Sequence, residues 1–279
     1  MSGTLVFLGP SLPTSKAQAV LPEATYLPPI RRGDLIAALH DRPAIVGIID
    51  GQFLQSLAVS PLEIFEALRT GTTVLGAASM GALRAVEMRS FGMIGVGTIF
   101  RWFRDERLVA EDELAVAFDP NTGSALSDAL VNMRYALSRA AAEQVIGRDT
   151  RRLLIQLARS LYFPERTYDL TMRLAEHVVP RIELDRLRLW LPHRAPDLKA
   201  EDALRLLRLA RRMSKTEKTR GKRHESDCRA DHWKADHRPH VSTGVQSRPG
   251  EHAGTLPADG NRAPRPDALR RAGDRNGRA

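Results

Sequence analysis

Three short apolar runs near the start of the chain constrain the fold more than any other feature. Each run is five or six residues long, rich in Val, Ile and Leu, and not interrupted by polar residues. Residues 4–8 end at Gly9-Pro10, residues 44–49 at Asp50-Gly51, and residues 72–77 at Ala78-Ser79-Met80-Gly81. Runs of this kind are typical of strands that are buried on both faces of a parallel sheet.

Segments with helical spacing separate and follow these runs. Residues 33–40 and 61–69 lie between the runs, and Pro61 fits the first turn of a helix. This order predicts an α/β fold, a parallel sheet of at least three strands with flanking helices and right-handed crossovers. The same spacing predicts helices at residues 80–88, 96–103, 127–145, 150–162, 167–178 and 200–213, whereas residues 113–118 suggest one more strand.

Charge divides the chain into three predicted regions. Residues 1–146, the predicted α/β core, hold 12 basic and 15 acidic side chains, a net charge of −3. Residues 147–213 hold 15 basic and 9 acidic side chains and predict an Arg-rich helical region, and residues 214–279 have the same 15 and 9. The pI near 10.3 therefore belongs to the second half of the chain. Because the core is not basic, nucleic acid is disfavoured as a partner.

The last region predicts a disordered basic tail. Apart from alanine, residues 214–279 contain six apolar side chains, too few to offset the entropy of ordering that length. One hypothesis is that this segment is an out-of-frame read of a GC-rich gene, which reading the gene in its other frames tests. Cys228, the single cysteine of the chain, lies here. The predicted core therefore has no disulfide and no cysteine-bound metal.

Targeting and cofactor motifs are missing from the sequence. No run approaches the roughly 18 apolar residues of a membrane-spanning helix, and the first ten residues lack the basic start of a signal peptide. Phosphate-loop, dinucleotide, zinc-protease and EF-hand patterns are absent as well. These observations predict a cytoplasmic protein with no cofactor, no metal and no membrane partner.

The third apolar run leads into the segment with the most chemical information. Gly76-Ala-Ala-Ser79-Met-Gly81 resembles the nucleophile elbow Gly-x-Ser-x-Gly, with Ala77 in place of the first glycine. Ser79 is then predicted at the carboxyl edge of the sheet, where ligands bind to open parallel sheets. The alternative is that Ser79 only caps the helix that follows it, as serine commonly does.

Three charged residues complete the candidate catalytic set. Residues 41–176 contain neither histidine nor lysine, so the best-placed base is Asp50, which follows the second run. Its alternative is an Asx turn with Gly51. Arg84 and Glu87 are three residues apart and are predicted to share a helix face, where Glu87 holds Arg84 in place. The charged residues 104–106 and 111–113 suggest a solvated face or a turn.

A resemblance to a known family follows from a series of motifs. They are Val6-Phe-Leu-Gly-Pro-Ser-Leu12, Val46-Gly-Ile-Ile-Asp-Gly-Gln-Phe53, Pro61-Leu-Glu-Ile64, Gly76-Ala-Ala-Ser-Met-Gly-Ala-Leu-Arg-Ala-Val-Glu87, Phe91-Gly-Met-Ile-Gly-Val-Gly97, Phe103-Arg-Asp105, Asp112-Glu-Leu-Ala115 and Leu130-Val-Asn-Met-Arg134. In this order they resemble the TfuA-like family over about residues 4–137. Many relatives carry a histidine in the stretch that matches Ser60–Glu63, and this chain has none.

The resemblance implies a role in the biosynthesis of ribosomally made, modified peptides. TfuA-like proteins accompany YcaO-type ATP-dependent cyclodehydratases, which convert backbone amides to thioamides or azoles in a peptide or protein substrate. The implied function is to supply sulfide from a thiocarboxylated, ThiS-like sulfur carrier, as a thiocarboxylate hydrolase. The alternative is a non-catalytic adaptor that recruits or activates the YcaO-type enzyme.

Residues and resemblance together suggest one mechanism. Arg84 pairs with the anionic end of the thiocarboxylate, and Ser79, or a water oriented by Asp50, attacks its carbonyl carbon. Amides at the start of the helix hold the developing oxyanion. This mechanism predicts that Ser79, Asp50 and Arg84 line one concavity at the carboxyl edge of the sheet.

Overall fold

The computed structural model describes residues 3–52, 57–108, 110–119 and 121–236. The chain divides into two units, residues 1–229 and residues 230–279. A five-stranded, wholly parallel sheet lies in the first unit, with the strand order β2-β1-β3-β4-β5. The strands are β1 (Thr4–Phe7), β2 (Thr25–Leu27), β3 (Ile45–Ile48), β4 (Thr73–Gly76) and β5 (Ile94–Gly95).

Ten α-helices lie within the described residues. They are α1 (Thr14–Val20), α2 (Asp34–Ala38), α3 (Pro61–Arg69), α4 (Met80–Met88), α5 (Gly97–Arg104), α6 (Leu130–Ala142), α7 (Arg148–Ser160), α8 (Tyr168–Ala175), α9 (Arg181–Arg194) and α10 (Leu198–Asp236). Among these residues, no helix is both long and apolar enough to cross a membrane.

Alternate residues of the central strands feed two hydrophobic cores, one on each face of the sheet. Phe7 and Ile48 pack on one face with residues of α2, α3 and α4. Val6 and Leu75 pack on the other face with α1 and with the first half of α10. Both faces are therefore covered by helices, which is why the strand residues are apolar without alternation.

The first half of α10 is fastened to the sheet by packing and by a buried carboxylate. Leu206 lies so close to β3 that a Cβ at Gly47 would stand 2.9 Å from its Cδ2 atom. Asp202 is fully buried and accepts a hydrogen bond of 2.7 Å from the Ile99 amide in the first turn of α5. These contacts fix where α10 begins relative to the strand ends.

The predicted fold class is confirmed. The three apolar runs form the adjacent parallel strands β1, β3 and β4, and the predicted helices 61–69 and 80–88 match α3 and α4. The strand predicted at residues 113–118 is wrong, because the segment starts in a 3₁₀ turn and pairs only through an isolated bridge at Phe118. Helix α10 continues to Asp236, beyond the predicted end at residue 213. Most of the predicted tail, residues 237–279, lies outside the described residues.

Candidate functional site

A cavity of about 450 Å³ opens at the carboxyl edge of the sheet. It lies where the chain leaves β1 and β3, which is the point at which the strand order of the sheet reverses. Ligands of open α/β sheets bind at this switch point. The walls come from the strand ends, from an extended segment after α5, from the turn after α7 and from the start of α10. The lining residues are Pro10, Pro28, Pro29, Asp50, Gly51, Gln52, Ser79, residues 114–118, residues 162–164 and Lys199.

Asp50 follows β3 and ties the end of that strand to the loop after β1. Its Oδ2 atom accepts hydrogen bonds from the amides of Gly9 (2.9 Å) and Ser11 (3.1 Å), and its Oδ1 atom accepts one from the Ser11 hydroxyl (2.5 Å). The predicted Asx turn is not formed, since the Gln52 amide donates to the Ile30 carbonyl instead. Asp50 thus builds one wall of the cavity and brings a buried carboxylate to it.

Ser79 stands between β4 and α4 in a strained turn. The residue before it, Ala78, has φ = +64°, a region that alanine rarely adopts and that is over-represented at functional sites. Ser79 is 3 % exposed and lines the cavity. Although it occupies the N-cap position of α4, its hydroxyl makes no capping bond. Helix capping therefore does not explain the serine at this position.

Glycines let the turn approach the sheet closely. A Cβ on Gly81 would lie 1.8 Å from the Ile48 carbonyl oxygen, and one on Gly76 would lie 2.1 Å from the Gly81 oxygen. The amides of Ser79 and Gly81 donate to the Ile49 carbonyl, at 3.3 and 3.4 Å. Within the described part of the chain, the Met80 amide is left without a partner at the start of α4.

Arg84 and Glu87 share a face of α4 as predicted, but they lie away from the cavity. The Arg84 Nη1 atom is 2.7 Å from Glu87 Oε2, and its Nε atom donates to the Val59 carbonyl oxygen at 2.9 Å. The guanidinium group therefore faces the segment before α3. The expectation that Arg84 lines the same space as Ser79 and Asp50 is wrong, because the helix turns its side chain aside.

Lys199, in the first turn of α10, is the cavity residue that sequence reasoning missed. Its side chain is 3 % exposed, and its Nζ atom donates to the Leu114 carbonyl oxygen at 3.0 Å. Burial lowers the pKa of Lys199, while the negative charges of Asp50 and Asp197 act to raise this pKa. Lys199 is the only lysine between Lys16 and Lys215, a signal that the sequence does contain.

The wall that carries Leu114 is braced by a buried arginine. Arg166 is 1 % exposed and donates to the carbonyl oxygens of Ala158, Leu161 and Asp112 and to the Asp112 carboxylate. It thereby joins the two segments that form the outer side of the cavity.

The solvated-face interpretation of residues 111–113 fails for Glu113. This side chain is 3 % exposed and its carboxylate lies 2.9 Å from Arg134 Nε. Burial raises the pKa of Glu113, and the Arg134 charge partly offsets the rise. Glu113 is therefore part of the packing beneath the cavity wall, whereas Glu111 and Asp112 are exposed in a 3₁₀ turn, as predicted.

Fold and site together define a doubly wound α/β protein with a cavity at its topological switch point. Asp50 and Ser79 meet there, with Lys199 added from α10. Among the described residues, no group of three His, Cys, Asp or Glu side chains is arranged to hold a metal ion.

Comparison with known families agrees with the motifs in the sequence. Residues 50–167 match the model of the TfuA-like protein family, so this segment of the chain is similar to that family. The match begins at Asp50 and includes Ser79, Arg84 and Glu87, whereas Lys199 lies beyond it. No curated protein matches the chain.

Proposed function

We propose that this protein releases sulfide from a thiocarboxylated sulfur-carrier protein for YcaO-dependent thioamidation of a peptide or protein backbone. The proposal extends the family assignment to a reaction, a thiocarboxylate hydrolysis, and to two partners, a ThiS-like carrier and a YcaO-type cyclodehydratase. A cytoplasmic location, as the sequence predicts, is part of the same proposal.

The observation that carries the proposal is the uncapped hydroxyl of Ser79 in the cavity at the carboxyl edge of the sheet. A serine that only started a helix would bond to the backbone of its first turn, and Ser79 does not. Its hydroxyl instead adjoins a space bounded largely by apolar side chains, among them Pro29, Phe118 and Phe163. Such a space suits the uncharged chain that precedes the thiocarboxylate at the end of an extended peptide.

The chemistry needs one nucleophile and one good leaving group. The Ser79 oxygen attacks the thiocarboxylate carbon, the C–S bond breaks, and the hydroxyl proton leaves with sulfur as HS⁻. Water then hydrolyses the acyl ester, which restores the Ser79 hydroxyl and releases a carboxylate and a proton. A weak base suffices because hydrosulfide leaves easily, and Asp50 is the carboxylate at hand to orient the water.

Three further residues have a role in this proposal. The Met80 amide is the donor at the start of α4 that can approach the developing oxyanion, since the neighbouring amides of Ser79 and Gly81 are engaged. Arg84 and Glu87 are assigned to positioning, because their ion pair holds α4 against the Val59 carbonyl at the entry to α3.

The test compares Ser79→Ala with Ser60→Ala, a matched control. Ser60 forms a full capping box with Glu63 at the start of α3 and lies outside the cavity. Ser60→Ala should cost about 0.5–2 kcal/mol of stability without changing sulfide release per folded molecule. Ser79→Ala should unfold at nearly the wild-type urea concentration and release sulfide from a thiocarboxylated carrier at least about 100-fold more slowly. Equal release by wild type and Ser79→Ala would refute the nucleophile.

A second candidate, the non-catalytic adaptor, is favoured by an exposed apolar patch on α3 and the turn after α4. Leu62 is 78 % exposed, and the half-exposed rings of Phe65 and Phe91 meet edge to face with centroids 5.7 Å apart. Patches of this kind mark protein interaction sites. Leu62→Glu should weaken binding to the YcaO-type enzyme, whereas Leu189→Glu, at an equally exposed leucine on α9, should not. The adaptor candidate fails if both variants bind that enzyme like wild type.

A further inference from the structure

A second concave space, a groove of about 390 Å³, lies in the helical region. It is formed by the turn after α6 and by α9, and its described lining residues are all different from those of the cavity at the sheet edge. The lining residues are Glu143, Gln144, Val145, Arg186, Leu189 and Trp190. The groove is open to solvent, whereas sites for small ligands enclose most of the ligand surface. Its shape therefore suits part of a partner chain.

Apolar side chains form the floor and one wall of the groove. Trp190 is buried in the core of the helical region, and its Nε1 atom donates to Glu143 Oε2 at 2.8 Å. Since its one polar atom is bonded, the indole ring is an apolar surface for the groove. Leu189 is 77 % exposed, and Ile182, two turns earlier on the same face of α9, is exposed as well. Exposed apolar side chains aligned in this way mark a contact surface.

Arg186 lies between Ile182 and Leu189 on this face of α9 and also lines the groove. The other arginines of α9 each have a carboxylate partner; they are Arg181, Arg188 and Arg194. Within the described ranges of the chain, Arg186 forms neither an ion pair nor a side-chain hydrogen bond. Its guanidinium donors are therefore available to a partner.

Glu143, the carboxylate of the groove, is already shared among three donors. It accepts hydrogen bonds from the Trp190 indole at 2.8 Å and from Arg139 Nη2 at 3.3 Å, and Arg194 Nη2 lies 3.3 Å away. Together with Arg186, three guanidinium groups stand against this one carboxylate. The groove is thus apolar on its floor and positively charged at its rim.

We infer that this groove and the adjoining face of α9 bind an acidic amphipathic helix of a partner protein. Such a helix docks through apolar side chains at positions i, i+3 or i+4, and i+7. Ile182 and Leu189 have the same seven-residue separation, so both can contact apolar anchors of the partner. A carboxylate beside those anchors can bind Arg186 through two parallel N–H donors.

Nucleic acid fits this surface less well. Binding to phosphates requires several cations that are free to replace counterions, and Arg139 and Arg194 are held by Glu143. The inference goes beyond the proposed function, because the groove shares neither the cavity nor the apolar patch on α3.

Two labelled peptides isolate the contribution of charge. One is an amphipathic helical peptide with leucines and glutamates along one face, and the other has glutamine in place of each glutamate. Fluorescence anisotropy with the full chain measures their dissociation constants. We expect the wild type to bind the glutamate peptide about 10-fold more tightly, the lower end of the range for hydrogen bonds to a charged group, because the groove is open to solvent.

Substitutions on α9 assign this preference to Arg186. Arg186→Met should remove it, whereas Arg181→Met, at an exposed arginine of the same helix, should keep it. Arg186→Glu should instead prefer a peptide with lysine in place of each glutamate.

The apolar contact is tested at Leu189. Leu189→Glu should weaken binding of the glutamate peptide at least about 10-fold, because it removes an apolar anchor and adds a like charge. Leu62→Glu, at an exposed leucine on α3, should bind this peptide like wild type. Leu189→Ala replaces Leu189→Glu should that variant not fold, and it should weaken binding in the same direction.

Equal affinity of the wild type for the glutamate and glutamine peptides, or an undiminished preference in Arg186→Met, would overturn the inference. Two other occupants would also overturn it. They are a DNA duplex whose binding is lost in Arg186→Met, and a second copy of the chain, seen as a dimer in analytical ultracentrifugation that Leu189→Glu dissociates. Ser79→Ala should bind the glutamate peptide like wild type, so failure of the proposed hydrolase leaves this inference standing.

Discussion

Gly81→Ala should change the stability of the protein in two opposite ways, through helix propensity and through a steric clash, and the structure shows which effect is larger. Gly81 lies in the first turn of α4, where alanine favours the helix by about 1 kcal/mol over glycine. The added Cβ atom, however, would stand 1.8 Å from the Ile48 carbonyl oxygen and 2.6 Å from its carbonyl carbon. Both are backbone atoms of β3, so no side-chain rotation can relieve the contact.

The steric effect should dominate. Restoring an ordinary contact of about 3.4 Å requires the start of α4 and the end of β3 to separate by more than 1 Å, and overpacking of a well-packed core costs typically 1–3 kcal/mol. Because β3 is held by pairing on both sides, we place Gly81→Ala at the upper end of that range. The net loss is then about 2 kcal/mol after the gain in helix propensity.

Urea unfolding measures the loss, and sulfide release reports on the site. Gly3→Ala is the control, since a Cβ at Gly3 meets no atom within 4 Å. We expect Gly3→Ala to leave the midpoint unchanged and Gly81→Ala to lower it. The folded fraction of Gly81→Ala should release sulfide more slowly, because Ser79 moves with the start of α4. A midpoint equal to or above that of wild type would refute the steric argument.

Two further predictions concern the packing around the cavity. Arg166→Met should lower the free energy of unfolding in urea by about 2–4 kcal/mol, because four hydrogen bonds of a buried guanidinium are lost. The control is Arg152→Met at an exposed ion pair on α7, which should change this free energy by less than about 0.5 kcal/mol. Burial raises the pKa of Asp128, so this group favours the folded state at low pH, and its contribution is lost as pH rises through the folded pKa. Asp128→Asn, which keeps an acceptor for the Tyr168 amide, should therefore flatten the decline in stability as the pH rises above about 4, the ordinary pKa of an aspartate. A steeper decline would contradict this prediction.

The central strands were predictable because burial on both faces leaves a continuous apolar run. The edge strands β2 and β5 are three and two residues long, too short to leave such a run in the sequence. Helix α9 was missed as well, and Pro192 inside it interrupts the helical pattern. Local pattern thus predicted the strands that are buried on both faces and the helices whose spacing is not interrupted.

The meeting of Ser79 and Asp50 was predictable for a different reason, since carboxyl ends of neighbouring parallel strands share one edge. The direction of Arg84 was not, because it depends on how α4 is rotated about its axis against α3. The position of Lys199 in the cavity could not be predicted from local sequence patterns. Its place is set by the packing of α10 on the sheet and by the Asp202 bond to α5, both of which join segments distant in sequence.

The geometry of the cavity explains why its parts come from three regions of the chain. Residues 50–167, the segment that matches the family, supply Asp50 and Ser79, but the hydrogen bonds that hold Asp50 come from Gly9 and Ser11. The lysine of the cavity, Lys199, comes from α10. Because Asp50 offsets part of the burial of Lys199, loss of the loop after β1 would disturb both charges at once. On this reasoning the matched segment by itself cannot form the site, and the proposed chemistry requires the chain from β1 through the first half of α10.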